Sequence, residues 1–403
     1  MNVAAEQSKL DPRIVVALLT SSLERGGAER QVVELANALD PSIFRVVVIS
    51  LSDENPLAHE LHDANNRLIV LRKRRKFDLA LVLRVARTLR RINASVVHSF
   101  MFDAEMVGRL AGRLARVPAV ICSNRCPHLG RSKFKLWLSR ATESCFDVII
   151  ANSWAGLEFE RDTQGMDPAR LCVVPNGVDT SRFAPRERAG SRRELGIPED
   201  AVVFGMFAHF RGNKDPVTLL KAAVVILERN PSAYLVLVGA SDGDGPLSLF
   251  GQCRAIAAEA PQVADRILFT GRRDDAARLY NMIDIKVLST RFEGTPNVIL
   301  EAMASGLPVV TTDVSDNRRI VLDGQSGFLV PPSDVDALAN RMELLIRDEP
   351  LRRAMGVEGR SRAVSEFSTQ ALARRTAAVY FSVLRQKRGT QMPVLGTPAG
   401  SDA

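Results

Sequence analysis

The sequence lacks three features that would assign it to other classes of protein. None of its apolar runs approaches the roughly 18 uninterrupted residues that a membrane-spanning helix needs. Its start, MNVAAEQSKLDPR, lacks the basic-then-apolar order of a secretory signal. Its five cysteines form neither an even set nor a paired zinc pattern. We therefore expect a cytoplasmic protein with free thiols and without a disulfide scaffold.

The chain is long enough for two domains, and its apolar runs indicate their class. With 403 residues, 46% of them hydrophobic, it exceeds the size of a single average domain. Short runs rich in Val, Ile and Leu alternate with amphipathic segments, which is typical of parallel strands buried on both faces. The predicted strands are 13–19, 45–51, 67–71, 95–98, 118–122 and 147–151, then 201–208, 234–238, 266–270, 284–288, 308–311 and 327–330.

This pattern predicts an α/β fold of two doubly wound, Rossmann-like domains with ligands at the carboxyl ends of the strands, in a cleft between the domains. We expect an N-terminal domain over 1–183, a linker over 184–200, a C-terminal domain over 201–385 and a disordered tail over 386–403. A long helical stretch, about 350–386, is expected after the last strand.

Positive charge is concentrated in one region of the chain. Residues 67–140 hold 18 Lys and Arg against three acidic residues, whereas acidic residues outnumber basic ones elsewhere. Such a region attracts nucleic acid, anionic lipid or a phosphorylated substrate. Within it, RKRRK at 72–76 precedes the segment FDLALVLRVARTLRR, whose Leu and Val residues recur at helical spacing. Basic residues beside an apolar stripe favour an interfacial membrane helix, while a core-packed helix with a solvated basic face is the alternative.

The segment RFEGTPNVILE at 291–301 carries the strongest local signal. Thr295 is expected to cap a short helix that contains Glu301, and Glu293 lies in the loop before it. The amino end of that helix, beside Gly294, could bind a phosphate, and the two carboxylates could hold hydroxyl groups of a sugar and a ribose. Two unrelated surface glutamates are the alternative.

Three further patterns lie at expected strand ends. Arg211 and Lys214 follow the strand 201–208 and could hold a diphosphate, although a solvated basic turn has the same composition. Gly26 and Gly27 follow the first strand and allow a close approach to a ligand. His98 ends the fourth strand, where a structural histidine is the alternative. Asp242-Gly-Asp244 resembles a metal motif but reads better as a turn, and no GxGxxG fingerprint occurs.

Together these motifs resemble the retaining glycosyltransferases of family 4, which have the GT-B fold. GGAER, the histidine, the Arg211 and Lys214 pair, and Glu293 to Glu301 followed by EAMASGLPVV occur in the family's order, and the resemblance covers about 13–385. One departure is Arg319, where relatives often have a glutamate.

The resemblance implies a role for each matching residue. Arg211 and Lys214 would bind the donor diphosphate and stabilise it as the leaving group, and Glu293 would face the transferred sugar. The other implied roles are ribose binding by Glu301, contact with the donor phosphates and acceptor by Gly26 and Gly27, contact with the sugar near the reaction centre by His98, and base binding by Gly271 and Arg272. Gly294 and Thr295 would complete the donor site. No metal or other cofactor is expected.

The expected substrates are a nucleotide sugar, more often UDP than GDP, and a saccharide or polyprenyl-diphosphate-linked acceptor bound by the first domain. Through the region 67–140 the enzyme would lie on the inner face of the cytoplasmic membrane and serve surface polysaccharide synthesis. Two alternatives remain at this point: a nucleotide-sugar epimerase on the same fold, and a nucleic-acid-binding protein that uses the basic region. The region has only scattered aromatics and no known nucleic-acid motif, so no nucleic-acid partner is expected.

Overall fold

The computed structural model describes residues 12–74, 78–125, 133–187, 190–241, 243, 245 and 247–387. Asp242, Asp244, Cys126, residues 75–77 of the basic region and the tail from 388 lie outside the described residues. The described residues form two compact units. The first comprises those within Met1–Ala151, Leu157–Val174 and Leu372–Ala403, and the second comprises Asn152–Gly156 and Pro175–Ala371.

The first unit is built on a seven-stranded parallel sheet in the order β3-β2-β1-β4-β5-β6-β7. Its strands are β1 Ile14–Thr20, β2 Phe44–Ser50, β3 Leu68–Val70, β4 Val96–Phe100, β5 Ala119–Asn124, β6 Val148–Ala151 and β7 Leu171–Val173. The helices in this part of the chain are α1 Gly27–Ala38, α2 Ala64–Arg67, α3 Leu79–Arg91, α4 Phe102–Ala115, α5 Lys133–Ala141 and α6 Trp154–Glu158, with a π-helical turn at Phe159–Thr163. The three-residue strand β7 is absent from the sequence-based prediction.

The second unit contains a six-stranded parallel sheet in the order β10-β9-β8-β11-β12-β13. Its strands are β8 Val202–Phe207, β9 Ala233–Val238, β10 Ile267–Gly271, β11 Ile285–Leu288, β12 Val309–Thr312 and β13 Gly327–Val330. The remaining helices are α7 Ser191–Glu194, α8 Pro216–Arg229, α9 Leu249–Ala258, α10 Ala276–Tyr280, α11 Asn297–Ala304, α12 Asn317–Ile320, α13 Val335–Arg347, α14 Glu349–Glu366 and α15 Thr369–Lys387. The predicted α/β class, with two doubly wound sheets, is confirmed.

Each sheet has helices on both faces, as the continuous apolar strands require. Along β8, Phe204 packs in a core with Leu219 of α8, whereas Val203 and Phe207 pack in a second core with Leu300 of α11. Adjacent side chains of a strand point to opposite faces, so one apolar run fills both layers.

The last helix returns to the first unit. The sequence assigned residues up to 385 to the second domain, but Leu372, Tyr380 and Val383 of α15 pack in the core that contains Val16 and Phe44. The apolar face of α15 is therefore buried in the first unit, and the helix extends to Lys387, past the predicted start of the tail at 386.

The expected linker is partly built into the second unit. Arg192 of α7 is fully buried and donates a hydrogen bond of 2.7 Å to Asp284 Oδ2. It also donates to the carbonyl oxygens of Met282, Glu199 and Ala201. This ion pair attaches the segment 190–200 to the residues just before β11, so the high charge content of the segment does not make it a free linker. Across the described residues, no helix is long and apolar enough to cross a membrane.

Replacing Arg192 by Met should destabilise the second unit, because it leaves the carboxylate of Asp284 buried without its cation. Loss of one partner of a buried ion pair costs about 3–5 kcal/mol. Chemical unfolding of Arg192→Met measures the change, with Arg193→Met at the exposed neighbouring position as the control. Equal stability of the two variants would contradict the structural role of the pair.

Candidate functional site

The central feature of the second unit is the point at which its strand order reverses, between β8 and β11. Helices connected to these neighbouring strands lie on opposite faces, so the loops after the two strands leave a crevice at their carboxyl ends. Hydrogen bonds to main-chain oxygens join these loops: Ser289 Oγ donates to Asp215 O at 2.8 Å, and Thr290 Oγ1 and Arg291 N each donate to Asn213 O at 2.7 Å. The loop 208–215 is thereby held against the loop 289–293.

Asp215 connects the two loops through the hydrogen bonds of its backbone and its carboxylate. Its backbone is left-handed, with φ 44°, a conformation that costs free energy in a non-glycine residue and concentrates at functional sites. Its buried carboxylate accepts hydrogen bonds at Oδ2 from Thr218 Oγ1, Arg291 Nε and Ser333 Oγ at 2.9, 3.1 and 3.0 Å. These bonds hold the turn that carries Lys214 into α8.

Lys214 and Glu293, both candidates from the sequence, are in direct contact. The Lys214 ammonium donates to Glu293 Oε1, which also lies 2.9 Å from Thr290 Oγ1. The backbone N–H of Glu293 donates to Ser315 Oγ at 3.1 Å. A cation and a carboxylate that are held this closely can bind complementary parts of one ligand, such as a phosphate and a hydroxyl group.

Three cations act on His209, which lies two residues after β8. The pKa of His209 is lowered by burial and then by the charges of Arg211, Arg272 and Lys214. Arg272 therefore acts on the same histidine as Arg211 and Lys214, which the sequence placed in a different motif. Arg272 follows Gly271, whose φ of 67° ends β10 in a conformation that favours glycine. Such a cluster forms a region of positive potential suited to a diphosphate.

Glu301 of α11 lies beside residues that sequence reasoning missed. The Tyr280 hydroxyl lies 3.0 Å from Glu301 Oε2 and 3.1 Å from Val298 O. Burial, followed by the charge of Glu301, raises the pKa of Tyr280 well above its usual range, so the hydroxyl remains a donor. The ring of Tyr280 stacks on Phe207 with 4.1 Å between centroids. One oxygen of the Glu301 carboxylate is thus held by a buried phenol.

Thr295 does not cap α11 as predicted. The helix begins at Asn297, and the Thr295 hydroxyl instead donates to the carbonyl oxygen of Asn152. Asn176 Nδ2 lies 2.8 Å from Thr295 O. A Cβ at Gly294 would lie 2.8 Å from Asn152 Oδ1, which explains the glycine. The amino end of α11 is therefore fixed by asparagines from distant segments, which no local motif indicated.

Arg319, which stands where relatives often have a glutamate, contacts an aromatic residue of the same unit. Its guanidinium lies 5.0 Å from the centroid of the Trp154 ring. The neighbouring Asp316 accepts hydrogen bonds from Trp154 N and Ala155 N at 2.6 and 3.1 Å. An arginine is suited to this stacking position because its planar cation packs on aromatic faces.

The remaining candidates, Gly26, Gly27 and His98, belong to the first unit. Gly26 precedes α1, and Gly27 is its first residue. His98 is fully buried, with its ring nitrogens 2.7 Å from Tyr380 Oη and 2.9 Å from Ser123 Oγ. Burial and then the charge of Arg125 lower its pKa well below the usual range. These contacts favour the structural interpretation, and a contact of His98 with the sugar stays a prediction.

The first unit also has an open pocket of 540 Å³ at the carboxyl ends of β1 to β4. Hydroxyl, acidic and basic side chains line it, namely those of Ser21, Ser22, Glu24, Ser52, Asp53, Glu54, Arg72, Lys73, Arg74 and Asp103, together with Leu51. Arg72 pairs with Asp53 and Lys73 with Asp103, at 3.1 and 2.9 Å. In the described parts of the chain, no group of three or more His, Cys, Asp or Glu residues is placed to hold a metal ion.

Comparison with known proteins shows the family to which the chain belongs. The family profile described as Glycosyl transferases group 1 matches residues 187–362, and that described as Glycosyltransferase Family 4 matches residues 25–182. The putative glycosyltransferase EpsF of Bacillus subtilis (strain 168) is 30% identical over 313 residues, which are 73% of this chain and 77% of EpsF. The UDP-Gal:alpha-D-GlcNAc-diphosphoundecaprenol alpha-1,3-galactosyltransferase of Escherichia coli is 28% identical over 301 residues, 72% of this chain and 76% of the relative.

Among solved structures, Anabaena HepE in complex with UDP and glucose matches with a TM-score of 0.79 and 21% identity, over 92% of this chain and 100% of HepE. At this identity the match shows the fold alone. The two family profiles and the match to EpsF confirm the family inferred from the motifs, and the match to HepE confirms the GT-B fold. The chain is a nucleotide-sugar-dependent enzyme and belongs to the glycosyltransferases of group 1, with a family 4 amino-terminal domain.

Proposed function

We propose that the enzyme transfers a hexose or N-acetylhexosamine from a nucleotide-diphosphate sugar to a hydroxyl of a lipid-linked saccharide, with retention of the anomeric configuration. The observation that carries this proposal is the contact of Lys214 with Glu293 at the carboxyl ends of β8 and β11, together with the charges of Arg211 and Arg272, which act with Lys214 on His209. This arrangement presents cations to a diphosphate and a carboxylate to the sugar attached to it.

The chemical roles follow from these charges. As the bond between the anomeric carbon and the diphosphate oxygen breaks, its electron pair moves to the leaving group, where Lys214, Arg211 and Arg272 stabilise the negative charge. The acceptor oxygen bonds to the anomeric carbon on the face that the diphosphate leaves, and its proton passes to the departing phosphate oxygen. Glu293 orients the sugar by accepting from its hydroxyl groups. Three fixed cations would supply the charge stabilisation that a divalent metal supplies elsewhere, so we propose metal-independent transfer.

UDP is the proposed nucleotide. The names of two similar proteins support it: the Escherichia coli relative is named for UDP-Gal, and HepE was solved with UDP. In this proposal Glu301, held by Tyr280, accepts from the ribose hydroxyls, and the loop with Gly271 and Arg272 lies near the base.

A lipid-linked acceptor and an anionic membrane surface are proposed for the first unit. The Escherichia coli relative is named for a diphosphoundecaprenol-linked acceptor. Along α3, Leu79 and Leu83 are exposed by 80% and 45% and are followed on the outer face by Arg87, Arg90 and Arg91. On α5, Phe134 and Trp137 are exposed by 54% and 61% near Lys133 and Lys135. Exposed apolar and aromatic side chains among cations suit the interface of anionic lipid, at the cytoplasmic face in this proposal.

Replacing Glu301 by Ala should abolish stabilisation of the protein by its nucleotide, because the ribose loses its acceptor. A ligand at about 100 times its dissociation constant adds about 2.7 kcal/mol to the free energy of unfolding. Thermal shift with UDP, GDP and ADP measures this for the wild type, Glu301→Ala and the exposed control Glu358→Ala. The assignment of Glu301 is wrong if both variants respond as the wild type does.

Replacing Lys214 by Ala should lower kcat/KM by about 10²–10³, because one fixed cation on the leaving group is lost. The measurement is acceptor-dependent release of the nucleoside diphosphate with EDTA present, and the exposed Lys221→Ala on α8 is the control. Release of UDP without any acceptor would instead indicate an epimerase, and loss of activity with EDTA in the wild type would contradict the metal-independent mechanism.

Replacing both Leu79 and Leu83 by Ser should reduce sedimentation of the protein with anionic liposomes at low salt. Each leucine would lose the apolar burial that it gains in the lipid interface, about 1.5–3 kcal/mol. Leu247→Ser is the control, since Leu247 is 91% exposed and lies outside the basic region. If the wild type does not sediment at all, the basic region has another partner.

A further inference from the structure

A buried lysine lies in the central strand of the second unit. Lys286 of β11 has no exposed surface, and its neighbours across the sheet are Gly205 of β8 and Val309 of β12. Its Nζ donates to Val287 O at 3.2 Å and lies 5.2 Å from the centroid of the Phe207 ring. Burying an ammonium group is costly unless it interacts with opposite charge. An apolar residue would suit this strand better, so the lysine calls for a functional reason.

The charges around Lys286 belong to the donor site. Its pKa is lowered to about 7, chiefly by burial; the charge of Glu301 raises it, that of Lys214 lowers it, and that of Glu293 raises it. Phe207, against which the ammonium lies, stacks on Tyr280, and Tyr280 bonds to Glu301. Alternation along β11 puts Lys286 and Leu288 on one face of the sheet, and Leu288 shares a core with residues of α10 and α11. The buried amine, the phenol and the Glu301 carboxylate therefore form one cluster.

We propose that Lys286 is a positioning residue for the donor: with Tyr280, its ammonium group holds the Glu301 carboxylate in place to accept from the ribose hydroxyls. It also offsets the repulsion between the two site glutamates and the anionic diphosphate. This inference rests on the proposed nucleotide-sugar function and adds to it a residue that does not touch the substrate.

The titration of Lys286 predicts that rising pH lowers the affinity for the nucleotide and raises the stability of the free protein. The groups that act on Lys286 are Glu301, Glu293 and Lys214, with Tyr280 neutral. As pH rises through about 7, the ammonium loses its charge and nucleotide affinity falls. A bound anionic nucleotide favours the charged amine, so this fall is displaced to higher pH. In the free protein, the unfolded chain binds more protons than the folded one between pH 7 and 10.5, about the folded and the ordinary pKa of this lysine, so the free energy of unfolding rises with pH in that range.

Lys286→Met separates these effects from a purely structural role. Met has a similar length without charge, so the free variant should unfold at a higher temperature than the wild type at pH 6. Its Kd for UDP at pH 6 should increase about tenfold, the loss expected for one charge-assisted interaction. At pH 8.5 the difference from the wild type should shrink. With saturating donor, kcat should change little, whereas the KM for the donor rises.

Calorimetric titration with UDP at pH 6 and 8.5 tests the inference, with the exposed Lys221→Met as the control. In a Glu301→Gln background, Lys286→Met should add no further loss, since the residue acts through Glu301. Unchanged UDP affinity of Lys286→Met at pH 6 would overturn the inference, as would a full additional loss in the Glu301→Gln background.

The outcomes distinguish this inference from the proposed function. If the wild type binds UDP and Glu301→Ala does not, the proposed function survives a failure at Lys286. If the wild type binds none of UDP, GDP and ADP, both fail together. Should Lys286→Met not fold, Lys286→Gln is the second variant, and a Kd for UDP of that variant equal to the wild-type value at pH 6 would overturn the inference.

Discussion

The candidate site of the second unit depends on the hydrogen bonds that join the loop after β8 to the loop after β11. Ser289 and Thr290 are fully buried, and their hydroxyls bind main-chain oxygens of the other loop. Because the two strands are neighbours at a reversal of strand order, both loops leave the same edge of the sheet. The left-handed turn at Asp215 then completes the connection to α8. Lys214 and Glu293 therefore meet although 79 positions separate them in sequence.

The charged side chains of the site fall into two interacting groups. Arg211, Arg272 and Lys214 act together on His209, while Glu293 and Glu301 interact with the buried Lys286. In the free protein Lys214 is paired with Glu293. In the proposed function an anionic diphosphate would bind beside these cations, whose positions are fixed by the fold before the ligand arrives.

The sequence predicted the sheets closely, and it predicted only part of the site. The strand 327–330 matches β13 residue for residue, because continuous apolar runs identify buried parallel strands. Lys214 and Glu293 stood out because charged residues at strand ends are conspicuous. His209, Asp215, Tyr280 and Lys286 did not, because their roles come from neighbours that only the strand order brings near. In sequence, Lys286 is a single polar interruption of an apolar strand, and α15 shows no sign of the unit it joins.

The return of α15 to the first unit also constrains the order in which the two units can fold during synthesis. Tyr380, whose hydroxyl lies 2.7 Å from the His98 ring, follows that histidine by 282 positions. During translation the whole of the second unit, up to Ala371, is synthesised before Leu372, Tyr380 and Val383, which complete the core of the first unit. The first unit therefore completes its core after the second unit has been synthesised, although its own first strand is made earlier.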